Sequence, residues 1–262
     1  MNLKRKYDIM IFLSALKMEF YKVIRRSSTK LLLIYVALPL FYGISNIKGS
    51  QAVTIEGSFS ALAFGSACWG MLGMTGLANI LFIILISNHF GKEKEDGQLK
   101  FILLEIANRK KVLWAKVTAV FSLIFFSYIL LYIASIIVYY TCMAGSVHGS
   151  IFIDGMDDII LSFSTDFLYL IQLIMIASIE ILICMYYKSS VSLLLGVIIS
   201  MIFIVLQYVP IIKFADPIYI AELFNSSKIS TLGIVIYGSI YLCFAYILIL
   251  LAMKKFKRSE IK

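Results

Sequence analysis

The sequence predicts an all-α membrane protein, with six transmembrane helices in a single domain. Three observations carry that expectation. Of the 262 residues, 61% are hydrophobic. Mean hydropathy is +0.94, which makes the bilayer the natural solvent for the chain. Six apolar stretches, 30–47, 59–89, 112–143, 166–187, 191–209 and 232–253, approach or exceed the roughly 20 residues that a span needs. Their apolar residues run on without period-two alternation, so helices are indicated rather than a barrel.

Before the first span, Ile9, Phe12, Leu13, Leu16, Phe20, Val23 and Ile24 recur at helical spacing, with Lys17, Lys22, Arg25 and Arg26 off that face. This predicts an amphipathic helix over 9–27 lying in the membrane interface, which also serves as the lead-in to span one. The start resembles a signal peptide, but Lys17 and Glu19 interrupt its apolar core and no A-x-A site follows, so it reads as retained. Span one carries Pro39, which favours a kink. Span two is rich in small residues, and the pairs Ala61/Gly65 and Ser66/Gly70 point to close helix packing. Spans two and three exceed one bilayer crossing and are expected to tilt or extend beyond it.

Between spans three and four lie Asp154, Asp157 and Asp158, with Asp166 just after and no base among them. Two readings stand: an outer loop that lacks bases for topological reasons, or a vestibule that attracts cationic solutes. Glu180 lies inside span four, where a carboxylate is costly; a substrate or proton contact and a paired, buried charge are equally compatible with it. The link 210–231 holds Pro210, Pro217 and an apolar stretch, Pro217–Phe224, that suits a re-entrant or interfacial hairpin. The tail KKFKR is a stop-transfer anchor.

Counted over short loops, 21 of the 24 Lys and Arg residues fall on one side. The positive-inside rule then places both termini in the cytoplasm of a multi-pass plasma-membrane protein. The net charge of +9 is mostly that topology signal. Nucleic acid is not an expected partner, because the bases hug membrane edges and form no soluble face. Anionic lipids are expected partners. Cys68, Cys142, Cys184 and Cys243 form no CxxC and read as small apolar fillers. His89 and His148 fall at span edges without converging on acids, so a metalloprotease site, a bound metal or any enzyme activity on this chain is not expected.

The most distinctive stretch joins spans two and three. Glu93, Glu95 and Asp96 open it, and Arg109, Lys110 and Lys111 close it. Between them Leu99, Ile102, Leu103 and Ile106 follow i, i+3, i+4, i+7. Acids at a helix start and bases at its end complement the helix dipole. The pattern predicts a surface helix over 93–108, with one apolar face on the bundle and Lys100 and Glu105 free for a cytoplasmic partner.

At these residues the sequence resembles the permeases of type-2 ABC exporters. The family's segment starts with an E-x-G-T-L-like motif, continues with a leucine pair and ends P-x-S-R-like with a lysine seven residues later. Here Glu95, Asp96, Gly97 and Leu99 stand at the start, Leu103 and Leu104 in the middle, and Arg109 and Lys116 at the end. Gln98, Ile106 and Asn108 replace the usual threonine, proline and serine. The outline of an interfacial helix, six spans and a hairpin before span six is also similar, and FADPIYIAELF looks like the family's link after span five.

The resemblance implies half of an export pathway. A second permease, identical or different, would complete it, and separate cytoplasmic ATPases would bring ATP and Mg and dock on the coupling helix 93–108. No cofactor is then expected on this chain. Glu93 follows Gly91–Lys92 where a P-loop needs Ser or Thr, so the ATPase is not here. Glu93, Glu95, Asp96, Gly97, Leu103 and Arg109 are the candidate coupling residues. Glu95 and Asp96 would hold the helix start, Gly97 would allow close backbone approach, and Arg109 would meet the ATPase or lipid headgroups. The cargo suggested is an amphipathic peptide or antibiotic-like compound; a polysaccharide or lipid, or a carrier or channel that uses no ATP, are the alternatives.

Overall fold

A computed structural model describes residues 3–48, 60–98, 108–146, 149, 156–206 and 208–258, with the backbone alone at 3–9 and 156–158. Every regular element among them is helical. Helix α1 covers Leu3–Arg25. A 3-10 segment, Ser27–Leu33, leads into α2, Ile34–Ile47, which continues through Pro39. Helices α3, Ala61–Met74, and α4, Leu77–Ile86, are followed by a π-helical turn, Ser87–Lys92, and a short α5, Glu93–Glu95. Then come α6, Arg109–Val138, α7, Met156–Tyr186, α8, Ser189–Leu206, α9, Pro217–Asn225, and α10, Thr231–Arg258.

Five helical stretches are long and apolar enough to cross a membrane, and a sixth is counted when a bent pair is taken as one span. They coincide with the six apolar stretches of the sequence, as a multi-pass membrane protein requires. The bent pair corrects one expectation. Span two is broken rather than simply tilted: α3 and the stretch Leu77–Glu95 meet at 66°. The cause is local. Gly76 takes φ +68°, a left-handed conformation that ends α3 and starts α4, and a Cβ there would meet Ile204 Cδ1 at 2.7 Å.

Helix α7 is the mast of the bundle, with 78% of its apolar window buried, against 22–44% for the other single-helix spans. Helices α10, α9, α3 and α4 pack on it, α1, α2 and α3 pack on α6, and α8 packs on α4 and α7. The small residues of α3 serve this packing. A Cβ on Gly65 would lie 2.9 Å from the Tyr132 ring, and Gly73 faces the ring of Tyr169. The stretch Pro217–Phe224 of the sequence is α9, a short helix packed on α7. Asp216 caps it: the Ile218 amide donates to Asp216 Oδ1 at 3.2 Å, and so does Gln172 Nε2, also at 3.2 Å.

The surface helix expected over 93–108 is not one unbroken helix. After Glu95 the chain turns at Asp96 and Gly97, and Gly97 takes φ +70°, which a helix cannot carry. Glu93–Glu95 instead prolongs span two. Leu103 and the rest of 99–107 lie outside the described residues.

Candidate functional site

The basic residues Arg109, Lys257 and Lys94 gather at one end of the bundle, called here the basic end. Lys116 and Glu19 lie just inside it. Glu19 comes from α1, Lys116 from the second turn of α6, and His89 and Glu93 from the π-turn and α5. Glu19 and His89 are wholly buried, and Glu93 and Lys116 are 1% exposed. Lys116 Nζ donates to Glu19 Oε2 at 2.9 Å and to Glu93 Oε2. Arg26 donates to Glu93 Oε1 and, at 2.5 Å, to the Asn88 carbonyl. Lys22 Nζ stands 3.5 Å from Glu19 Oε1 at the rim. His89 Nε2 is 3.2 Å from Glu19 Oε2, and His89 Nδ1 is 3.6 Å from Glu93 Oε1.

Burial by itself would raise the Glu19 carboxyl. Lys116, the His89 contact and Lys22 outweigh it and hold Glu19 well below the usual carboxylate range. His89, in the π-turn, and Glu93, four residues on, share one face of the helical segment.

Sequence reasoning placed His89 at a span edge without acidic neighbours, and the structure corrects this. Glu19, His89 and Glu93 offer ligand atoms that lie within 4.8 Å of one another, a spacing that suits a metal ion. The occupant is already present. The Lys116 ammonium bridges both carboxylates, and Arg26 supplies a second cation. An ammonium and a divalent ion cannot share that position, so the group is an ion cluster built into the fold. It joins α1, span two and α6 at one point. Glu19, Arg26, His89 and Lys116 were missed as a set.

The next two residues along the chain fasten different partners. Lys94 Nζ donates to the Met185 carbonyl at 2.9 Å and to the Cys184 carbonyl at 3.4 Å, capping the last turn of α7. The Ser189 amide, at the start of α8, donates to Glu95 Oε1. A cation thus meets the C-terminus of α7 and an anion the N-terminus of α8, both in the sense the helix dipole favours. Behind them Ser87 Oγ donates to the Ser189 carbonyl at 2.7 Å. Gly91 is needed there, since a Cβ would sit 2.9 Å from Ser189 Cα.

Of the candidate coupling residues, Glu93 is therefore inside the bundle and Glu95 is on the α8 start. Asp96 is exposed in the turn. Gly97 takes a positive φ in the turn, and no described atom lies within 4 Å of a Cβ there. Arg109 Nη1 donates to the Lys257 carbonyl at 3.1 Å, tying α6 to the end of α10. Asn108 caps α6, accepting from the amides of Lys110 and Lys111 at 3.1 and 3.3 Å.

Glu180 is fully buried on α7. Ser192 Oγ donates to its Oε1 at 2.5 Å, and Cys184 Sγ lies 3.5 Å away. Its Oε2 has no partner among the described residues. Gly196 leaves it room, since a Cβ there would run into Oε2.

At the other end, Asp166 is not part of an exposed acidic face. It is buried, with Ser66 donating to Oδ1 at 2.8 Å, and with Tyr128, at 3.0 Å, and Tyr132 donating to Oδ2. Asp157 and Asp158 fall in the first turn of α7. Asp154 lies outside the described residues.

No protein-family model matches the chain, and a search of the curated proteins returns no relative.

Proposed function

We propose that the chain is the membrane-spanning permease subunit of an ATP-driven exporter of the type-2 ABC kind, with the basic end in the cytoplasm. One observation carries this reading. Three consecutive residues are each fastened to a different part of the bundle: Glu93 to α1 and α6, Lys94 to α7, and Glu95 to α8. They open 93–108, the segment that the family resemblance makes the docking site of an ATPase. A push there is delivered through these bonds to four helices at once, as a coupling element requires. Helix α1 would lie in the cytoplasmic interface, a second permease would complete the pathway, and ATP and Mg would bind the ATPase. The cargo that best suits the build is an amphipathic peptide or antibiotic-like compound, with a polysaccharide or lipid next.

The test is a photoreactive side chain at position 100 of the full chain in its native membrane. Capture of a protein that also takes up an ATP analogue supports the proposal, and exchanging Glu95 and Arg109 should lower ATP-driven transport while leaving insertion intact. Capture of no ATP-binding protein, or cargo movement at full rate by the chain alone, would overturn it.

A second reading, a carrier driven by an ion gradient, is favoured by two specific observations. Span two is broken at Gly76, and Glu180 is a buried carboxylate with no cation beside it among the described residues. Gradient-driven uptake by the purified chain, without nucleotide, would select it.

A further inference from the structure

Three hydroxyls and one carboxyl form a file that runs inward from the basic end. Helix α8 opens with Ser189, and Ser189, Ser192, Gly196 and Ser200 follow i, i+3, i+7, i+11 along it, so they share one face. That face meets the π-turn: Ser87 Oγ is 3.0 Å from Ser189 Oγ and 3.5 Å from Ser192 Oγ. Ser192 Oγ in turn reaches Glu180 Oε1 at 2.5 Å. At the mouth Ser189 is half-buried, and its amide donates to the exposed Glu95. Farther in the file is sealed, with Ser87, Ser192 and Glu180 all 0% exposed. Glu180 stands six residues before the end of α7, about 9 Å along the helix.

The other carboxyl oxygen is a separate observation. Glu180 Oε2 lies against Gly196 and has no donor among the described residues. Helices α4 and α8, which flank it, carry no charged or titratable side chain. On α7, Cys184 Sγ is 3.5 Å from Oε1 and adds no cation. Lys94 of α5 reaches the Cys184 and Met185 carbonyls instead, His89 of the π-turn faces Glu19 and Glu93, and Lys255 of α10 lies over the Tyr186 ring. A buried carboxylate with one oxygen bare and no cation beside it takes a proton rather than stay charged. The atoms suit that form: Oε2 is the carbonyl oxygen of the acid, and Oε1, at the file, is where the proton sits. The file also ends there. Farther along α8 and α4, Ser200 Oγ and Asn79 Nδ2 are buried and have no partner among the described residues, so no bonded path leads on towards Gly76.

We propose that Glu180 is a proton-binding site with access from one side, loaded and unloaded from the basic end through Ser189, Ser87 and Ser192. The transfer is a relay. Hydronium at the mouth gives a proton to Ser189 Oγ and is left as water. Ser189 passes its own proton to Ser87 Oγ, Ser87 its own to Ser192 Oγ, and Ser192 its own to Glu180 Oε1. At each hydroxyl one O–H bond forms and one breaks, so all three end neutral and the carboxylate becomes a carboxyl. Ser87 and Ser189 rest with their protons on each other's carbonyls, at 2.7 and 3.1 Å, so each hydroxyl turns to pass one. The 3.5 Å step from Ser87 to Ser192 exceeds a relaxed O–H···O bond and sets the rate. The proton would be the coupling ion of the gradient-driven reading, but the site stands on the file and on Oε2, and so holds for an ATP-driven subunit as well.

Infrared spectroscopy of the full chain in vesicles at neutral pH reads the carboxyl itself. The carbonyl stretch of a protonated carboxyl should be present, shift on transfer to heavy water, and vanish in E180Q. Should E180Q fail to fold, isotope-labelled glutamate should move the same band, whereas a band from Asp166 or Asp216 would stay. Exchange of the band in heavy water should slow severalfold in S87A and in S192A and should be unchanged in S200A. Loss of carboxylate absorption alone in E180Q, a carboxylate band that shifts with sodium, or an exchange rate that S87A and S192A leave unchanged would each overturn the assignment, the second by revealing a metal-cation site. Uptake is measured separately: its absence without nucleotide would remove the carrier reading and leave the carboxyl band and its exchange as they are.

Discussion

Replacing Lys116 by Met removes the centre of the ion cluster and leaves the surrounding packing nearly intact. The side chain is 1% exposed, and the two carboxylates it bridges are 0% and 1% exposed, so water cannot take its place. Breaking a buried pair in this way costs about 3–5 kcal/mol. Arg26 still holds Glu93, so most of the loss falls on Glu19, which keeps only Lys22 at 3.5 Å and His89. The effect has a pH signature. In the wild-type chain Glu19 is held low, so its contribution is complete above the ordinary value of 4.5 and is lost only as pH falls below it. In K116M the burial penalty dominates, and the folded carboxyl binds its proton before the unfolded one does. Lowering the pH from neutral towards 4.5 therefore stabilises K116M relative to the wild-type chain, and the gap between them narrows. Reversible unfolding by sodium dodecyl sulfate in mixed micelles measures both quantities. Adding E19Q to K116M should recover part of the loss, because no uncompensated charge then remains. If K116M lies within about 1 kcal/mol of the wild-type chain, if the gap is constant with pH, or if the two substitutions simply add, the cluster does not work as described.

Three further outcomes are expected. D166A orphans the Ser66, Tyr128 and Tyr132 hydroxyls and should cost roughly 2–4 kcal/mol, against a smaller loss for D166N, which keeps one acceptor; the same unfolding assay ranks them. Burial, opposed by the Ile218 amide and helped by Glu222, raises the Asp216 carboxyl to about 7. The unfolded chain therefore ionises first, and stability falls as pH rises from about 3.8 to about 7, by up to about 1.4 kcal/mol per pH unit. D216N should flatten that slope, and a wild-type curve without it would refute the assignment. G91A drives a methyl into the Ser189 backbone and should cost about 1–3 kcal/mol, whereas G97A, in open space but at φ +70°, should cost only about 1 kcal/mol; equal losses in thermal unfolding would contradict the close approach at Gly91.

Much of the fold was legible because apolar length and the placement of lysines are local properties. Every apolar stretch became helical, and the close packing that the small residues of α3 suggested is met by the rings of Tyr132 and Tyr169. The break at Gly76 was not legible, since a single glycine among Gly65, Gly70 and Gly73 carries no mark of its φ. The ion cluster was hidden for a different reason. Lys116 and Glu19 are 97 positions apart. Only His89 and Glu93, at i, i+4, are neighbours in sequence, and that spacing was readable. Lys116 itself offered the other signal: a lone base set well inside an apolar run must find a buried acid or reach for the interface. Glu19 sits on an amphipathic helix, where a carboxylate ordinarily reads as part of the polar face. Asp166 was read as one of a row of outer acids because the tyrosines that receive it lie 34 and 38 positions away on another helix.

Apolar contacts between helices constrain register weakly, because lipid offers them nearly the same environment. The directional bonds therefore decide how this bundle can move. They lie at its two ends: Lys116 and Tyr132 are separated by 16 residues of α6, about 24 Å. At the basic end, ion pairs of Glu93 reach Arg26 at the end of α1 and Lys116 of α6, and charged hydrogen bonds of Lys94 and Glu95 reach α7 and α8. At the other end, neutral hydroxyls of α3 and α6 meet one carboxylate on α7. Breaking the Glu19–Lys116–Glu93 group strands three buried charges, whereas parting Asp166 from its hydroxyls strands one. Under the proposed transport function, the basic end is expected to travel as a unit and the tyrosine end to be where the helices separate at lower cost. The 66° break in span two lies between the two ends, where α3 can follow one and α4 the other. On that proposal Gly76, the left-handed residue at the break, is the expected hinge.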